Sequence, residues 1–320
     1  MRILRYLILG LSLVTATAWS QGYPDKSRPI RIIVPSGAAS SSDLLARAYG
    51  KAMAEVAGLN VIVENKPGAE TVLGVQALLA APPDGYTMML SSSSTQTLNV
   101  VMIPNLPYDP FRDFAPLVGV GTVATVMSLG PSTPAKTARE FIAAARANPG
   151  KLTCASATAN ARLSCELLQS LARIKLLNVP YKTTAAAVTA VAAGEADMVF
   201  ADPSSSAAQW QTGRLRPVAG SGARRIPGLP NVPPLREEGV AEYDVTAWFA
   251  TYFPAKTPPE VVATMRDILQ KANKTKLMAD TLAGFSMEPL NLVGDQLTAL
   301  NRREVDMWAK VVKAANLKPN

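Results

Sequence analysis

Apolar and polar positions alternate along the chain, with short β-branched runs followed by longer amphipathic segments. In the first third of the chain this pattern predicts strands over residues 30–34, 61–64 and 86–90, and helices over residues 43–56 and 70–80. Turns rich in proline and glycine separate these elements at residues 65–69 and 82–86. This alternation predicts an α/β fold with a largely parallel, doubly wound sheet.

A second series of strands and helices starts after residue 134. Its predicted strands lie near residues 152–155, 177–179, 196–200 and 215–219, and its predicted helices near residues 137–147, 163–172, 185–193 and 204–212. A proline-rich strap at residues 227–234 and an apolar stretch at residues 245–253 precede the C-terminal helices, the last over residues 295–315. Because 320 residues exceed what one core needs, the two series predict two lobes.

Each series has a loop of small residues before a helix that follows a strand. The first loop contains Ser36, Gly37, Ala38, Ala39 and Ser40 and ends at Asp43, and the second contains Ser156, Thr158, Asn160 and Arg162. The first N–H groups of a helix lack intrahelical partners and the helix dipole is positive there, so both loops are candidate anion sites. An ordinary strand-to-helix turn is the alternative for each. Two such helix starts favour lobes that face each other across a cleft.

The N-terminus has the pattern of a secretory leader. Arg2 and Arg5 precede a short apolar stretch, and small residues lead to an expected cleavage after Ser20, with cleavage after Ala18 as the alternative. We therefore expect residues 1–20 to be a signal peptide and the mature protein to be a free periplasmic or secreted protein. No cysteine stands at the expected cleavage site, which argues against a lipid anchor.

The net charge and the cysteine content indicate which compartment and which classes of ligand suit the protein. Cys154 and Cys165 would lie in an oxidising compartment and either form a disulfide or remain two buried thiols. The formal net charge of +8 includes both leader arginines and favours acidic ligands. Nucleic acid is not expected, because only 6% of residues are aromatic and no dense basic stripe accompanies them.

The chain contains no histidine, which removes Ser-His-Asp and Cys-His catalysis and the most common transition-metal ligand. Two cysteines cannot form a four-thiolate zinc site, and calcium-loop and nucleotide-binding motifs are absent from the sequence. The serine runs at residues 40–42 and 91–94 are expected to bind a ligand through their hydroxyls or to fill loops. We therefore expect no enzyme, no cofactor and no metal.

Several motifs resemble those of the tripartite tricarboxylate transporter substrate receptors, also called Bug proteins. These motifs are Glu64-Asn65-Lys66-Pro67-Gly68-Ala69, Pro83-Asp84-Gly85-Tyr86-Thr87, Tyr108-Asp109-Pro110, Asn148-Pro149-Gly150-Lys151-Leu152 and Val179-Pro180-Tyr181-Lys182. The resemblance covers nearly the whole mature chain. It implies a type II periplasmic-binding-protein fold with two doubly wound lobes around a central cleft. Residues 21–124 and 247–320 are expected to form lobe 1, and residues 125–246 lobe 2.

The resemblance also implies a function. Family members bind small carboxylates between the two loops named above and a third loop, here residues 92–99, and deliver them to a membrane permease. The resulting additional candidates are Ser93, Thr95, Gln96, Tyr181 and Asp202. We expect a monomeric, non-enzymatic receptor with a small carboxylate and a permease as partners. The alternative is a ligand-sensing partner of a membrane signalling protein.

Both cleft loops depart from the family pattern, because they lack most of its glycines and add Cβ atoms close to the ligand. Arg162 stands where the family usually has histidine and would either bind a carboxylate or pair with Glu166. Asp43 would either bind a ligand donor group or pair with Arg47 four residues later.

Overall fold

The computed structural model describes residues 22–314. The expected signal peptide and its cleavage site lie outside the described residues. The strands are β1 (Ile30–Val34), β2 (Val61–Asn65), β3 (Thr87–Ser92), β4 (Phe114–Ala124), β5 (Val126–Leu129), β6 (Thr153–Ser156), β7 (Leu177–Pro180), β8 (Met198–Ala201), β9 (Arg216–Gly220), β10 (Thr246–Pro254) and β11 (Glu288–Pro289).

Most of the helices lie on the predicted segments. They are α1 (Ser41–Ala57), α2 (Val72–Leu79), α3 (Asn99–Met102), α4 (Ala138–Ala147), α5 (Ala159–Ala172), α6 (Thr184–Ala192), α7 (Pro203–Gln211), α8 (Pro259–Asn273), α9 (Lys276–Gly284) and α10 (Asp295–Ala314). A 3-10 turn (Ala69–Thr71) precedes α2, and a π-helical turn (Ser94–Leu98) precedes α3. Within residues 22–314 no helix combines the length and apolarity that a membrane crossing needs.

Two sheets carry the fold. The first has the strand order β11-β4-β10-β3-β1-β2, and the second has the order β7-β6-β8-β5-β9. Strands β1, β2 and β3 are parallel, as are β6, β7 and β8, whereas β10 and β5 run antiparallel to their neighbours. The prediction of largely parallel sheets therefore holds for one half of each sheet. The other half of each sheet is antiparallel, because the strands next to the crossings between the sheets pair in that half. These strands are β10 in the first sheet and β5 in the second.

The crossings between the sheets lie side by side. Thr125 alone separates β4 of the first sheet from β5 of the second. Its backbone N–H donates to Ser221 Oγ at 2.9 Å, and Ser221 Oγ donates to the carbonyl of Val245 at 2.6 Å, just before β10. A buried serine thus holds both connecting segments together.

The core of the second sheet also takes side chains from distant parts of the chain. Trp308 and Val312 of α10, with Leu98 and Met102, belong to the same apolar cluster as Phe141 and the other buried side chains around α4 and α5. The apolar stripe of the last helix is thus part of the core, as the sequence predicts. Two lobes are present, and the predicted boundaries at 124/125 and 246/247 remain a proposal.

The two cysteines, whose pairing the sequence did not decide, are bonded to each other. Cys154 on β6 and Cys165 on α5 form a disulfide, with their Cα atoms 6.3 Å apart. The bridge joins the two elements on either side of the loop at residues 157–158.

Candidate ligand-binding cleft

The first cleft loop is held in shape by the start of α1. Ser40 is the N-cap residue, and its side chain accepts a hydrogen bond from the Asp43 N–H. The Asp43 carboxylate accepts from the Ala39 N–H at 3.0 Å and forms an ion pair with Arg47 at 2.9 Å. Ala39 has a φ of 59°, a conformation that a non-glycine residue adopts only when its surroundings hold it there. Asp43 therefore makes the pair with Arg47 that the sequence offered as one alternative.

Electrostatics agree with that structural role. Burial by itself would raise the pKa of the Asp43 carboxyl. Hydrogen bonds from Arg47, the Ala39 N–H and Asn65, together with the positive charge of Arg47, outweigh burial and hold the pKa below its usual range. Asp43 is therefore an ionised carboxylate that shapes the loop.

Further helix starts converge on the same region from the second sheet. Thr158 caps α5 by accepting from the Ala161 N–H, and Thr183 caps α6 by accepting from the Ala186 N–H. Asp202 is the N-cap residue of α7 without a capping side-chain bond. All three follow strands of one sheet, where the carboxyl ends of parallel strands meet.

Two connected cavities lie between these helix starts. The inner chamber has a volume of about 60 Å³, and its lining is Pro35, Ser36, Ser40, Ser41, Ser42, Thr71, Ser92, Ser94, Thr125, Ala157, Thr158, Asn160, Ala161, Thr184, Ala187, Val199, Phe200, Ala201, Asp202, Ala247 and Phe249. Asp202 is the single ionisable side chain in this lining. Hydroxyls and apolar groups make up most of the remainder.

The outer cavity is larger, at about 540 Å³, and carries more charge. Its lining is Pro35, Ser36, Gly37, Gly68, Ala69, Glu70, Thr71, Ser156, Ala157, Thr158, Arg162, Glu166, Asn178, Pro180, Tyr181, Lys182, Thr183 and Thr184. The linings of the two cavities share six residues, which are Pro35, Ser36, Thr71, Ala157, Thr158 and Thr184. The inner chamber, with one ionisable side chain, thus adjoins an outer cavity that has several.

Direct contacts across the cleft show a closed arrangement. Ser41 Oγ donates to Asp202 Oδ2 at 2.6 Å and lies 2.7 Å from Ser204 Oγ. The Asn160 N–H donates to Ser94 Oγ at 3.2 Å. The Ser41 contact joins α1, which packs on the first sheet, to the start of α7, which follows a strand of the second sheet.

Gly37 makes the closest approach to the opposite side. A Cβ atom at Gly37 would lie 2.7 Å from Thr183 Cγ2, well inside van der Waals contact. The absence of a side chain at this position therefore permits the cleft to close around the start of α6.

Asp202 differs from Asp43 in its surroundings. Burial raises the pKa of the Asp202 carboxyl, and the hydrogen bond from Ser41 only partly offsets that effect. No lysine or arginine among residues 22–314 forms an ion pair with it. The negative charge of Asp202 is compensated by a hydroxyl only.

The structure brings together most of the residues predicted from the sequence. Those that line a cavity are Ser36, Gly37, Ser40, Ser156, Thr158, Asn160, Arg162, Tyr181 and Asp202. Those that do not are Ala38, Ala39, Asp43, Ser93, Thr95 and Gln96. Their ligand roles remain predictions.

The third loop illustrates why some candidates lie back from the cavities. The sequence predicts a polar loop after β3, but the chain forms a π-helical turn there and buries its side chains. Thr95 Oγ1 donates to Thr71 Oγ1 at 2.9 Å, and its carbonyl accepts from the Tyr108 hydroxyl at 2.7 Å. Ser92 and Ser94, rather than Ser93, Thr95 or Gln96, reach the chamber.

Sequence reasoning missed the segment that closes the cavities at the end of β2. Ala69, Glu70 and Thr71 all have positive φ, between 46° and 80°, and all line the outer cavity. The Pro67-Gly68 turn marked this position only as a turn. Thr184 was also missed, although it directly follows the N-cap residue of α6.

A metal centre finds no support in residues 22–314, where no three Asp, Glu or Cys side chains come together as metal ligands would. The chemistry available in the cleft is hydrogen bonding and charge. Helix starts supply N–H donors, and hydroxyls supply adaptable donors and acceptors. Arg162 and Lys182 supply positive charge to the outer cavity, and Glu70 and Glu166 supply negative charge.

Comparison with known proteins gives a consistent result. Residues 45–317 match the family described as tripartite tricarboxylate transporter family receptor. The chain is 29% identical to protein BugT of Bordetella pertussis over 97% of both chains. It is 31% identical to a Cupriavidus necator protein encoded in the gbd 5′ region, covering 97% of this chain and 93% of that one.

Solved structures show the same architecture. The Rhodopseudomonas palustris protein Rpa4515, solved with adipate, has a TM-score of 0.88 at 25% identity and covers 93% of this chain and all of its own. Periplasmic binding protein BugD has a TM-score of 0.86 at 26% identity, with 91% and 98% covered. MatC of Rhodopseudomonas palustris, solved with malate, has a TM-score of 0.82 at 25% identity, with 89% and 99% covered. The predicted two-lobed fold is confirmed.

Proposed function

Because the chain belongs to the tripartite tricarboxylate transporter receptor family, we propose that it closes on a small organic carboxylate between its lobes and delivers it to a membrane permease. The protein acts by binding and conformational change and performs no chemistry on its ligand. The proposal includes export to the periplasm, where such a permease would meet its receptor.

The convergence of helix starts on the cleft carries this proposal. The first turns of α1, α5 and α6 contribute Ser42, Asn160 and Thr184 to the inner chamber lining. The N-terminal N–H groups of helices favour anions through their unsatisfied donors and the positive end of the dipole. Arg162 and Lys182 line the outer cavity together with Glu70 and Glu166, so the helix starts rather than net charge favour an anion there.

Two structural neighbours support a carboxylate in particular. Rpa4515 was solved with adipate and MatC with malate, and both match this chain over most of its length. Adipate and malate are dicarboxylates of different length and substitution. The neighbours therefore support the chemical class and leave the individual ligand open.

A binding screen on ligand-stripped protein tests the proposal. We expect at least one carboxylic acid among aliphatic diacids, hydroxy acids, amino acids and aromatic acids to raise the melting temperature and to bind with a measurable heat. Neutral sugars of similar size serve as controls. Binding by sugars or cations alone, with every acid inactive, would overturn the proposal.

Closure is measured separately by small-angle scattering. The bound form should have a smaller radius of gyration than the ligand-free form, because closure brings the lobes together. Delivery is tested by uptake of the labelled ligand in cells that lack the receptor gene and are complemented with it. Uptake that does not depend on the receptor would remove the transport part of the proposal.

A further inference from the structure

The inner chamber presents a carboxylate ligand with an electrostatic conflict. Asp202 is the single ionisable residue of the lining and has no cationic partner within residues 22–314. A ligand carboxylate placed against Asp202 would bring two negative charges together in a space of low dielectric constant. A receptor for anions therefore needs something other than the ligand carboxylate at this end of the cleft.

The hydrogen bonds around Asp202 show what it can still accept. Its Oδ2 accepts from Ser41 Oγ at 2.6 Å, and Ser204 Oγ lies 2.7 Å from Ser41 Oγ. Its Oδ1 accepts no hydrogen bond from the residues described. A carboxylate has about four lone-pair positions, so Asp202, which lines the chamber, retains capacity to accept from a donor group on the ligand.

The helix starts at the opposite end of the cleft fit an acidic group. Thr158 and Thr184 at the starts of α5 and α6 line both cavities. The charged residues of the outer cavity are Arg162, Lys182, Glu70 and Glu166, so their formal charges cancel. The outer cavity therefore offers N–H donors of helix starts without net charge, whereas the inner chamber contains the carboxyl group of Asp202. A chamber of about 60 Å³ takes only a small group, so the larger part of the ligand belongs in the outer cavity of about 540 Å³.

We propose that the ligand is a carboxylic acid that also carries an ammonium or hydroxyl group, and that Asp202 accepts a hydrogen bond from that group. The inference rests on the proposed carboxylate-binding function and narrows it to amino acids and hydroxy acids. Asp202 acts as the residue that determines specificity. The carboxylate of the ligand lies toward the helix starts that line both cavities.

Matched acids of equal length test this on the wild-type protein. The C4 set is succinate, malate and aspartate, which differ only by hydrogen, hydroxyl or ammonium at one carbon. The C3 set is propionate, lactate and alanine, and the C5 set is glutarate, 2-hydroxyglutarate and glutamate. In the set of best-fitting length, the hydroxy or amino acid should bind at least tenfold more tightly than the unsubstituted acid by calorimetry.

Substitution of Asp202 identifies the donor. Asp202→Asn keeps the shape and one acceptor oxygen but loses the charge, so it should weaken binding of an amino acid at least tenfold and of a hydroxy acid less. Asp202→Leu removes the acceptor as well and should abolish the preference for either over the unsubstituted acid. Asp267→Asn, which removes an equal charge from the exposed surface of α8, is the control and should leave affinities unchanged.

The outcomes separate this inference from the proposed function. If the unsubstituted acid binds as tightly as its amino and hydroxy partners in every set, the specificity is wrong and the carboxylate function stands. The same holds if Asp202→Asn weakens all three members of a set equally. If no acid binds the wild-type protein, the proposed function and this inference both fail. The comparison among acids needs no variant, so it decides the question even if Asp202 substitutions unfold the protein.

Discussion

Two aspartates at helix starts show how local surroundings give one residue type two roles. Asp43 is 2% exposed and is neutralised by Arg47, which holds its pKa low. The Asp202 carboxyl group accepts a hydrogen bond from the hydroxyl of Ser41 and has no cationic partner among residues 22–314, and burial raises its pKa. The first carboxylate stabilises a loop, whereas the second retains acceptor capacity toward the cavity. Sequence spacing predicted the Arg47 pair, but no spacing rule brings Ser41 to Asp202.

Asp43→Asn should lower the free energy of unfolding by about 1–3 kcal/mol at pH 7, because the charged hydrogen bonds to Arg47 and the Ala39 N–H are weakened. The folded pKa lies below the unfolded value, so this contribution is fully present above the unfolded pKa and is lost as pH falls through the folded pKa. Urea titrations of both proteins should give a constant difference down to about pH 5 and a smaller one below about pH 4.

Asp267→Asn is the matched control for this experiment, because Asp267 forms the same i,i+4 pair with Lys271 at the surface. An exposed pair of this kind contributes only about 0.3–0.5 kcal/mol. Equal effects of the two substitutions would contradict the structural role of Asp43.

Gly37→Ala should weaken ligand binding by at least about tenfold, since the overpacking of Thr183 costs about 1–3 kcal/mol in the closed form. Thr183→Ser in the same chain removes the methyl group, keeps the capping oxygen of α6 and should restore part of the affinity. Gly284→Ala, where a Cβ meets nothing within 4 Å, is the control. Wild-type affinity in Gly37→Ala would show that closure does not need this contact.

At the scale of elements, helix α5 is the best-anchored part of the cleft. Thr158 caps its first turn, and the disulfide from Cys165 to Cys154 fixes its second turn to β6. The cap also explains why α5 begins at Ala159, four residues before the predicted start at 163. The polar residues at 158–160 read as a loop from the sequence alone, because Thr and Asn favour caps and turns as readily as a first helical turn.

Reduction of the disulfide should lower the free energy of unfolding by about 3 kcal/mol, the loop-closure value for a cross-link of this short span. Both cysteines are buried, so the reductant acts through the unfolded state during a urea titration. The double variant Cys154→Ala with Cys165→Ala should not respond to the reductant. An equal response of the double variant would assign the effect to something other than this bridge.

At the scale of the whole molecule, Glu304 of α10 connects parts that the sequence keeps far apart. Its Oε2 accepts from Trp248 Nε1 of β10 at 2.7 Å and from Thr97 Oγ1 of the π-helical turn at 3.3 Å. Farther along α10, Trp308 and Val312 pack in the core of the second sheet. The last helix therefore contacts β10, the π-helical turn and the core of the second sheet. Any opening of the cleft must be accommodated by these contacts.

Glu304→Gln should raise the free energy of unfolding at pH 7 to 8. Burial raises the pKa of Glu304 in the folded state, more than the hydrogen bonds from Trp248 and Thr97 lower it. An acidic side chain whose pKa is higher in the folded than in the unfolded protein stabilises the folded state most at a pH below its pKa in the unfolded protein. This contribution is lost as the pH rises through its pKa in the folded protein. Urea titrations should therefore show a difference that disappears near pH 4, where both side chains are neutral.

Asp306→Asn is the control on the same helix, because Asp306 is exposed. It should leave the pH profile of the wild type nearly unchanged. A Glu304→Gln protein that is less stable than the wild type at pH 8 would mean that the ionised carboxylate is net stabilising, contrary to the expectation.

The sequence by itself determined most of the strands and helices, the two lobes, the family and most cavity-lining loops. These follow from hydrophobic periodicity, cap residues and motifs, which act over a few neighbouring positions. Tertiary structure alone decided the pairing of Cys154 with Cys165, the burial of residues 94–98 and the positive φ values at residues 69–71. It also decided which carboxylate would be neutralised, because the partner of Asp43 is four residues away whereas that of Asp202 lies 161 residues away, across the cleft.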